Sequence, residues 1–181
     1  MEHSLVPQNP PRPRKEYTHF SAAALLWDHE GRVLLQERED KPGVTYPGLM
    51  GLFGGAIDHH ESPADAVKRE LREELDLEFG PALDPLSVYG AQPVFLYAAE
   101  YDLSQVASNP ALAYRYVFTA CLSDAQKERL VLREGAAMHW LSRQDLARQL
   151  DRVLPLDLPI LSHVVHHMVH PPTVDITPLP P

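Results

Sequence analysis

The segment Ser62–Asp76 constrains this chain more than any other, because its pattern fits one kind of element. Ser62 is a helix cap, Pro63 suits the first helical position, and Asp65 lies near the positive end of the helix dipole. At about 100° per residue, Ala64, Val67, Leu71 and Leu75 then fall in one stripe about 80° wide. The spacing predicts an amphipathic helix over 63–76 whose stripe packs on a core. Glu70, Glu73 and Glu74 stand at i, i+3 and i+4 and form a ridge beside that stripe. They lie in the half of the helix where the dipole disfavours negative charge. Like charges at these spacings repel by a few tenths of a kcal/mol per pair, so stability alone does not account for the ridge.

Around this helix the chain reads as strands. Thr18–Trp27 is strand-like, Asp28-His29-Glu30-Gly31 is a turn signal, and Arg32–Arg38 is the returning strand of a hairpin. Lys41–Gly51, with two prolines and three glycines, is loop, and Leu52–Ile57 is a short apolar run. Further strands are predicted at Leu86–Tyr89, Val94–Glu100, Tyr114–Leu122 and Met138–Leu141. Ser142 caps a short helix to Leu150, and Ile160–His170 has the pattern of a last one. Strands interleaved with few helices predict an α/β domain with a mixed sheet.

The length, 181 residues, suits one domain with a full core. Prolines crowd both ends, so residues 1–15 read as a mobile arm, 16–170 as the domain, and 171–181 as a tail. No apolar run approaches the roughly 20 residues of a membrane span, and the N-terminus does not resemble a signal sequence. The single cysteine, Cys121, excludes an intrachain disulfide and fits the cytoplasm. A net charge of −9 argues against a general grip on nucleic acid or an anionic membrane. A small phosphorylated ligand stays compatible with that charge if a metal stands between the two sets of negative oxygens.

A solvated acidic face is the competing reading of the carboxylate ridge. Position favours function: the ridge borders the buried stripe, and the helix follows closely on Gly54-Gly55, where backbone can approach a ligand. Carboxylates converging with backbone carbonyls make an oxygen-only donor set, suited to Mg²⁺ or Mn²⁺ rather than zinc.

Gly55, five residues, Glu61, seven residues, then Arg69-Glu70-Leu71-Arg72-Glu73-Glu74-Leu75-Asp76-Leu77 closely resembles the Nudix box, G-x5-E-x7-R-E-U-x-E-E-x-G-U, where U is aliphatic. Six of the seven fixed residues and both aliphatic positions match. The one departure is Asp76, where the family has the glycine that ends the helix. The exit turn is thus the part of the box open to change, and no metal-binding side chain is lost. Leu34–Arg38, Pro47-Gly48 and Leu52–Gly55 resemble the family's lead-in, and Glu134-Gly135 before Trp140-Leu141 echoes its downstream part.

The resemblance implies an α/β/α sandwich and a pyrophosphohydrolase, in which water attacks one phosphorus of a nucleoside diphosphate linked to some group X. Nucleoside triphosphates, nucleotide sugars and dinucleotides are the substrate classes it implies, with Mg²⁺ or Mn²⁺ as cofactor. It assigns Glu70, Glu73, Glu74 and the carbonyl of Gly54 as metal ligands. Glu134 becomes a further ligand or the general base, and Glu70 and Glu73 are the other catalytic candidates. Arg69 and Glu61 match a salt bridge that steadies loop and helix beside Gly55, and Arg38 is a candidate for a substrate phosphate. A homodimer is left open, and a Nudix-fold module that binds a nucleotide without cleaving it is the alternative. The retained box glutamates favour the enzyme.

Other features read more plainly. His163, His166, His167 and His170 share an arc at helical spacing and form either a metal-binding stripe or the wet face of a helix. His59-His60 is a loop pair, Cys121 reads as core filler, and Trp27, Phe53, Tyr97 and Trp140 read as core before they read as a base-stacking surface. Isomerase chemistry on a prenyl diphosphate would need a reactive cysteine, for which Cys121 is poorly placed.

Overall fold

The computed structural model describes residues 13, 16–79, 92–103 and 112–168. Its elements run β1 (His19–Trp27), β2 (Val33–Glu37), β3 (Met50–Gly51), β4 (Phe53–Ala56) and α1 (Pro63–Leu75). They continue through β5 (Val94–Asp102), β6 (Leu112–Cys121), α2 (Asp124–Lys127), β7 (Ala137–Leu141), α3 (Arg143–Ala147), a 3₁₀ turn (Leu150–Arg152) and α4 (Leu158–His167). The strand expected at Leu86–Tyr89 lies outside the described residues, as do His170 and most of both termini. Among the described residues no helix is long and apolar enough to cross a membrane.

The strands form one mixed sheet of seven. β1 and β6 pair in parallel along their length, from His19↔Ala113 to Trp27↔Cys121. On its other edge β1 is antiparallel first to β4 and then to β2, while β7 covers the far edge of β2 and β5 that of β6. Alternation along β1 decides the layers. Ala22, Ala24 and Leu26 pack in one cluster with Phe53 and with Val67, Leu71 and Leu75 of α1. Ala23, Leu25 and Trp27 pack in the other with Leu146 of α3 and Ile160, Leu161 and Val164 of α4. The result is the α/β/α sandwich expected from the sequence.

Most boundaries agree with the sequence reading to within two residues. The loop expected over Lys41–Gly51 yields Met50 and Gly51 to β3, which pairs with Glu37 and Gln36. α2 has no counterpart in the reading above, although Ser123 and Gln126 form a complete capping box. The helix expected to run from Ser142 to Leu150 is shorter: α3 ends at Ala147, and a 3₁₀ turn follows.

A carboxylate site between strand β4 and helix α1

Ser62 caps α1 as expected, accepting from the Asp65 backbone N–H at 3.1 Å. The helix then presents its apolar stripe to β1 and β4, but Glu74 turns in with it and is only 5% exposed. Its Oε2 accepts from the Gly54 N–H at 2.8 Å, and its Oε1 from Gln36 Nε2 at 3.2 Å. Among the described residues no arginine or lysine side chain pairs with this carboxyl. Burial pushes this carboxyl up to about 7, the charges of Glu70 and Glu134 add to the rise, and the Gly54 and Gln36 bonds offset only part of it.

The glycine pair makes this approach geometric. Gly54 has φ +136, and a Cβ there would meet the Ala22 carbonyl oxygen at 2.2 Å. A Cβ on Gly55 would lie 2.5–2.6 Å from the carboxyl atoms of Glu70. A side chain at Gly54 would therefore push β4 from the β1 backbone, and one at Gly55 would displace the Glu70 carboxyl.

Arg69 gathers the remaining carboxylates. Its Nε and Nη2 each donate to Glu61 at 3.0 Å, Nη2 also donates to the Ala56 carbonyl at 2.8 Å, and Nη1 donates to Glu70 at 2.8 Å and Glu73 at 3.1 Å. The arginine bond holds Glu61 below the usual carboxylate range. Glu70 moves the other way: burial outweighs Arg69, and the neighbouring charges of Glu73 and Glu134 add to the rise. Loop and helix are thus fastened through Glu61 and Arg69, as the sequence led one to expect.

Glu134 is exposed on the loop before β7, within electrostatic reach of both Glu70 and Glu74. Its own carbonyl accepts from Gln36 Nε2 at 3.2 Å. The structure therefore brings Gly54, Gly55, Glu61, Arg69, Glu70, Glu73, Glu74 and Glu134 to one region. Arg38 is engaged elsewhere, its Nε donating to the Thr45 carbonyl at 2.7 Å and bracing the loop before β3. Gln36 was not singled out in the sequence, although it lies within the Leu34–Arg38 stretch quoted there.

Among the described residues no three metal-ligating side chains converge on one point, and Glu70 and Glu73 are paired with Arg69. The donor chemistry nevertheless fits a hard divalent ion: all oxygens are carboxylate or carbonyl, and the buried Glu74 lacks an internal cation. The histidines of α4 are different in kind. His163, His166 and His167 are exposed, with 4.9 Å between the ring centroids of His163 and His167. Trp27 and Phe53 are core, as is Cys121, whose thiol burial pushes up to about 11. Tyr97 and Trp140 are only partly buried, and Lys127 Nζ lies over the Trp140 ring at 5.0 Å.

Comparison with known proteins agrees with this architecture. An RNA pyrophosphohydrolase of Gluconacetobacter diazotrophicus is 36% identical over 99 residues, 53% of this chain and 54% of that protein. The chain thus matches about half the length of that relative. A nucleoside triphosphatase, NudI, of Escherichia fergusonii is 29% identical over 125 residues, 68% of this chain and 82% of that one. The crystal structure of a MutT protein from Methanosarcina mazei superposes with a TM-score of 0.62 at 18% identity, covering 84% of this chain and 96% of the other, a likeness of fold. The sequence profile of the NUDIX domain matches residues 17–164, and the chain belongs to that family.

Proposed function

We propose that this protein is a Mg²⁺- or Mn²⁺-dependent pyrophosphohydrolase that cleaves a diphosphate bond in a nucleoside diphosphate derivative. The observation that carries the reading is Glu74: a buried carboxylate on a backbone N–H, flanked by two further carboxylates and given no internal counter-charge. A diphosphate resists hydrolysis because its anionic oxygens repel nucleophiles, so a catalyst must neutralise charge and place a water. Glu70, Glu73, Glu74 and the Gly54 carbonyl would hold the ion, which when bound supplies that neutralisation and acidifies water.

The chain's own groups do the rest. Arg69 and Glu61 fasten the end of β4 and the loop after it against α1, so the carboxylates keep their spacing. Gly54 and Gly55 leave room for the approach. Glu134, exposed at the lip of the site, is placed to ligate the ion or to accept the proton of the attacking water. Arg38, occupied by Thr45, is a weaker candidate for a substrate phosphate than its sequence position suggested.

The names of the two curated relatives support testing a nucleoside triphosphate first and including an RNA, against the expectation that nucleic acid is not a partner. Formation of the product nucleotide is measured by chromatography with Mg²⁺ or Mn²⁺ across nucleoside triphosphates, nucleotide sugars, dinucleotides and an RNA, with Glu74→Gln as control. Turnover of one class, abolished in the control, is the expected result. A folded protein that binds the ion and cleaves nothing in the panel would turn the reading to a nucleotide-sensing module.

A further inference from the structure

Asp76 stands where the family has glycine, yet it ends α1 as a glycine would, in the left-handed region at φ 53 and ψ 26. Its N–H donates to the Arg72 carbonyl at 3.1 Å. Glycine would take this conformation without a Cβ cost, so a side chain there calls for a compensating contact. That contact is Arg133: Arg133 Nη2 donates to Asp76 Oδ2. Arg133 directly precedes Glu134.

The same loop is sewn to the helix end by backbone. The Val131 N–H donates to the Leu75 carbonyl at 3.0 Å and the Arg133 N–H to the Glu74 carbonyl at 2.8 Å. These bonds use two carbonyls that α1 leaves open at its C-terminus. On the far side of Glu134, the Ala136 N–H donates to the Glu37 carbonyl at 2.8 Å. Gln36 Nε2 reaches both Glu74 Oε1 and the Glu134 carbonyl at 3.2 Å. Among the described residues the Glu134 side chain makes no hydrogen bond or ion pair, and anchors on either side of it set its placement.

We propose that Asp76 is a positioning residue for Glu134, acting through Arg133 to hold the 131–136 loop against the end of α1. The proposal rests on the hydrolase reading for its effect on turnover, and on geometry alone for its effect on the loop. Exposed ion pairs contribute little by themselves. This one differs in standing beside three main-chain bonds that fix the same short segment, so its loss frees Arg133 and lets the bonds around Glu134 open more often.

Asp76→Gly, which supplies the family's own residue, is the decisive variant. Hydrogen exchange of the metal-free protein is expected to speed up at the Val131, Arg133 and Ala136 amides, with α1 interior amides unchanged. Turnover with saturating Mg²⁺ is expected to fall about tenfold, with KM within twofold. Arg133→Gln is expected to do the same, and the double variant to lose no more than either alone. In a Glu134→Gln background, Asp76→Gly is expected to leave kcat unchanged. Unaltered loop exchange in Asp76→Gly, additive losses in the double variant, or a full kcat loss without Glu134 would each overturn the proposal. If the unmodified protein hydrolyses nothing, the function reading falls, and the exchange comparison alone decides whether the clasp exists.

Discussion

Two buried carboxylates take backbone N–H groups from the same short segment, two residues apart, and serve the fold in opposite ways. Leu52 N–H donates to Asp157 Oδ2 at 2.9 Å on the α4 side, and Gly54 N–H donates to Glu74 Oε2 at 2.8 Å on the α1 side. Asp157 is fully buried but has Arg115 Nη2 2.9 Å from its Oδ1. That contact is one of charge, and among the described residues Arg115 Nε and Asp157 Oδ1 have no hydrogen-bond partner. Glu74 has an amide, Gln36, and like-charged neighbours. A buried anion with a cation supplied by the chain is closed structure. One left without such a cation is suited to a positive ion from outside.

The largest expected effect breaks the closed pair. Asp157→Ala leaves Arg115 buried without its counter-charge and the Leu52 N–H without an acceptor, at a cost of about 3–5 kcal/mol. Thermal unfolding should show a melting point lower by about 10 °C, while the upward shift on adding Mg²⁺ persists. Arg115→Met combined with Asp157→Asn removes both charges, keeps the acceptor and should cost less than half as much. Equal costs for the two designs would mean that the ion pair is not what Asp157 supplies.

On the other side of the sheet, Glu74→Gln is expected to lower turnover by at least about 100-fold while circular dichroism stays unchanged. It should also abolish most of the Mg²⁺-induced rise in melting point. Undiminished turnover would remove Glu74 from the ligand set.

A pH series sharpens the contrast next. Glu74 titrates near 7 when folded, against an ordinary value of 4.5. Below the ordinary value both states hold the proton and there is no penalty. Between the two values the unfolded chain ionises while the folded one keeps its proton, so stability falls as pH rises, then levels off above about 7. The fall attributable to Glu74 is on the order of 3 kcal/mol. Urea midpoints of the metal-free protein should show it, Glu74→Gln should flatten it, and Mg²⁺ should restore stability at the upper end. A Glu74→Gln profile parallel to that of the parent would assign the fall to other groups. The smallest effect concerns Cys121, buried with its thiol pushed up to about 11. Cys121→Ser should leave turnover unchanged, and a loss would reopen thiol chemistry.

Local pattern made α1 and most strands legible. The Ser62 cap, the Val67–Leu71–Leu75 spacing and the turn after Trp27 each involve neighbours in sequence. The candidate site residues could be named from the sequence because the box packs six of them into one short stretch of strand, loop and helix. Burial within the ridge was not. Glu74 adjoins the apolar stripe on the side that meets Gly54, whereas Glu73 at the neighbouring position stays exposed, and periodicity alone does not say which flank folds inward. Nor could spacing pair Arg115 with Asp157, or Asp76 with Arg133, because those contacts depend on how β6, α4 and the late loop are assembled. Short elements such as β3 and α2 carry too few residues for a period to emerge.

The parallel register of β1 with β6 has a consequence for how the chain reaches its native state. The two strands at the middle of the sheet are far apart in sequence, with β2, β3, β4, α1 and β5 between them. Local pieces can form early, but the central seam closes only after a long loop is brought together, which slows folding. Until β6 arrives on a growing chain, the alanine-rich edge of β1 is an open row of amides and carbonyls, able to pair with another chain. A fragment ending before Leu112 is therefore expected to aggregate rather than persist as a half-sized domain.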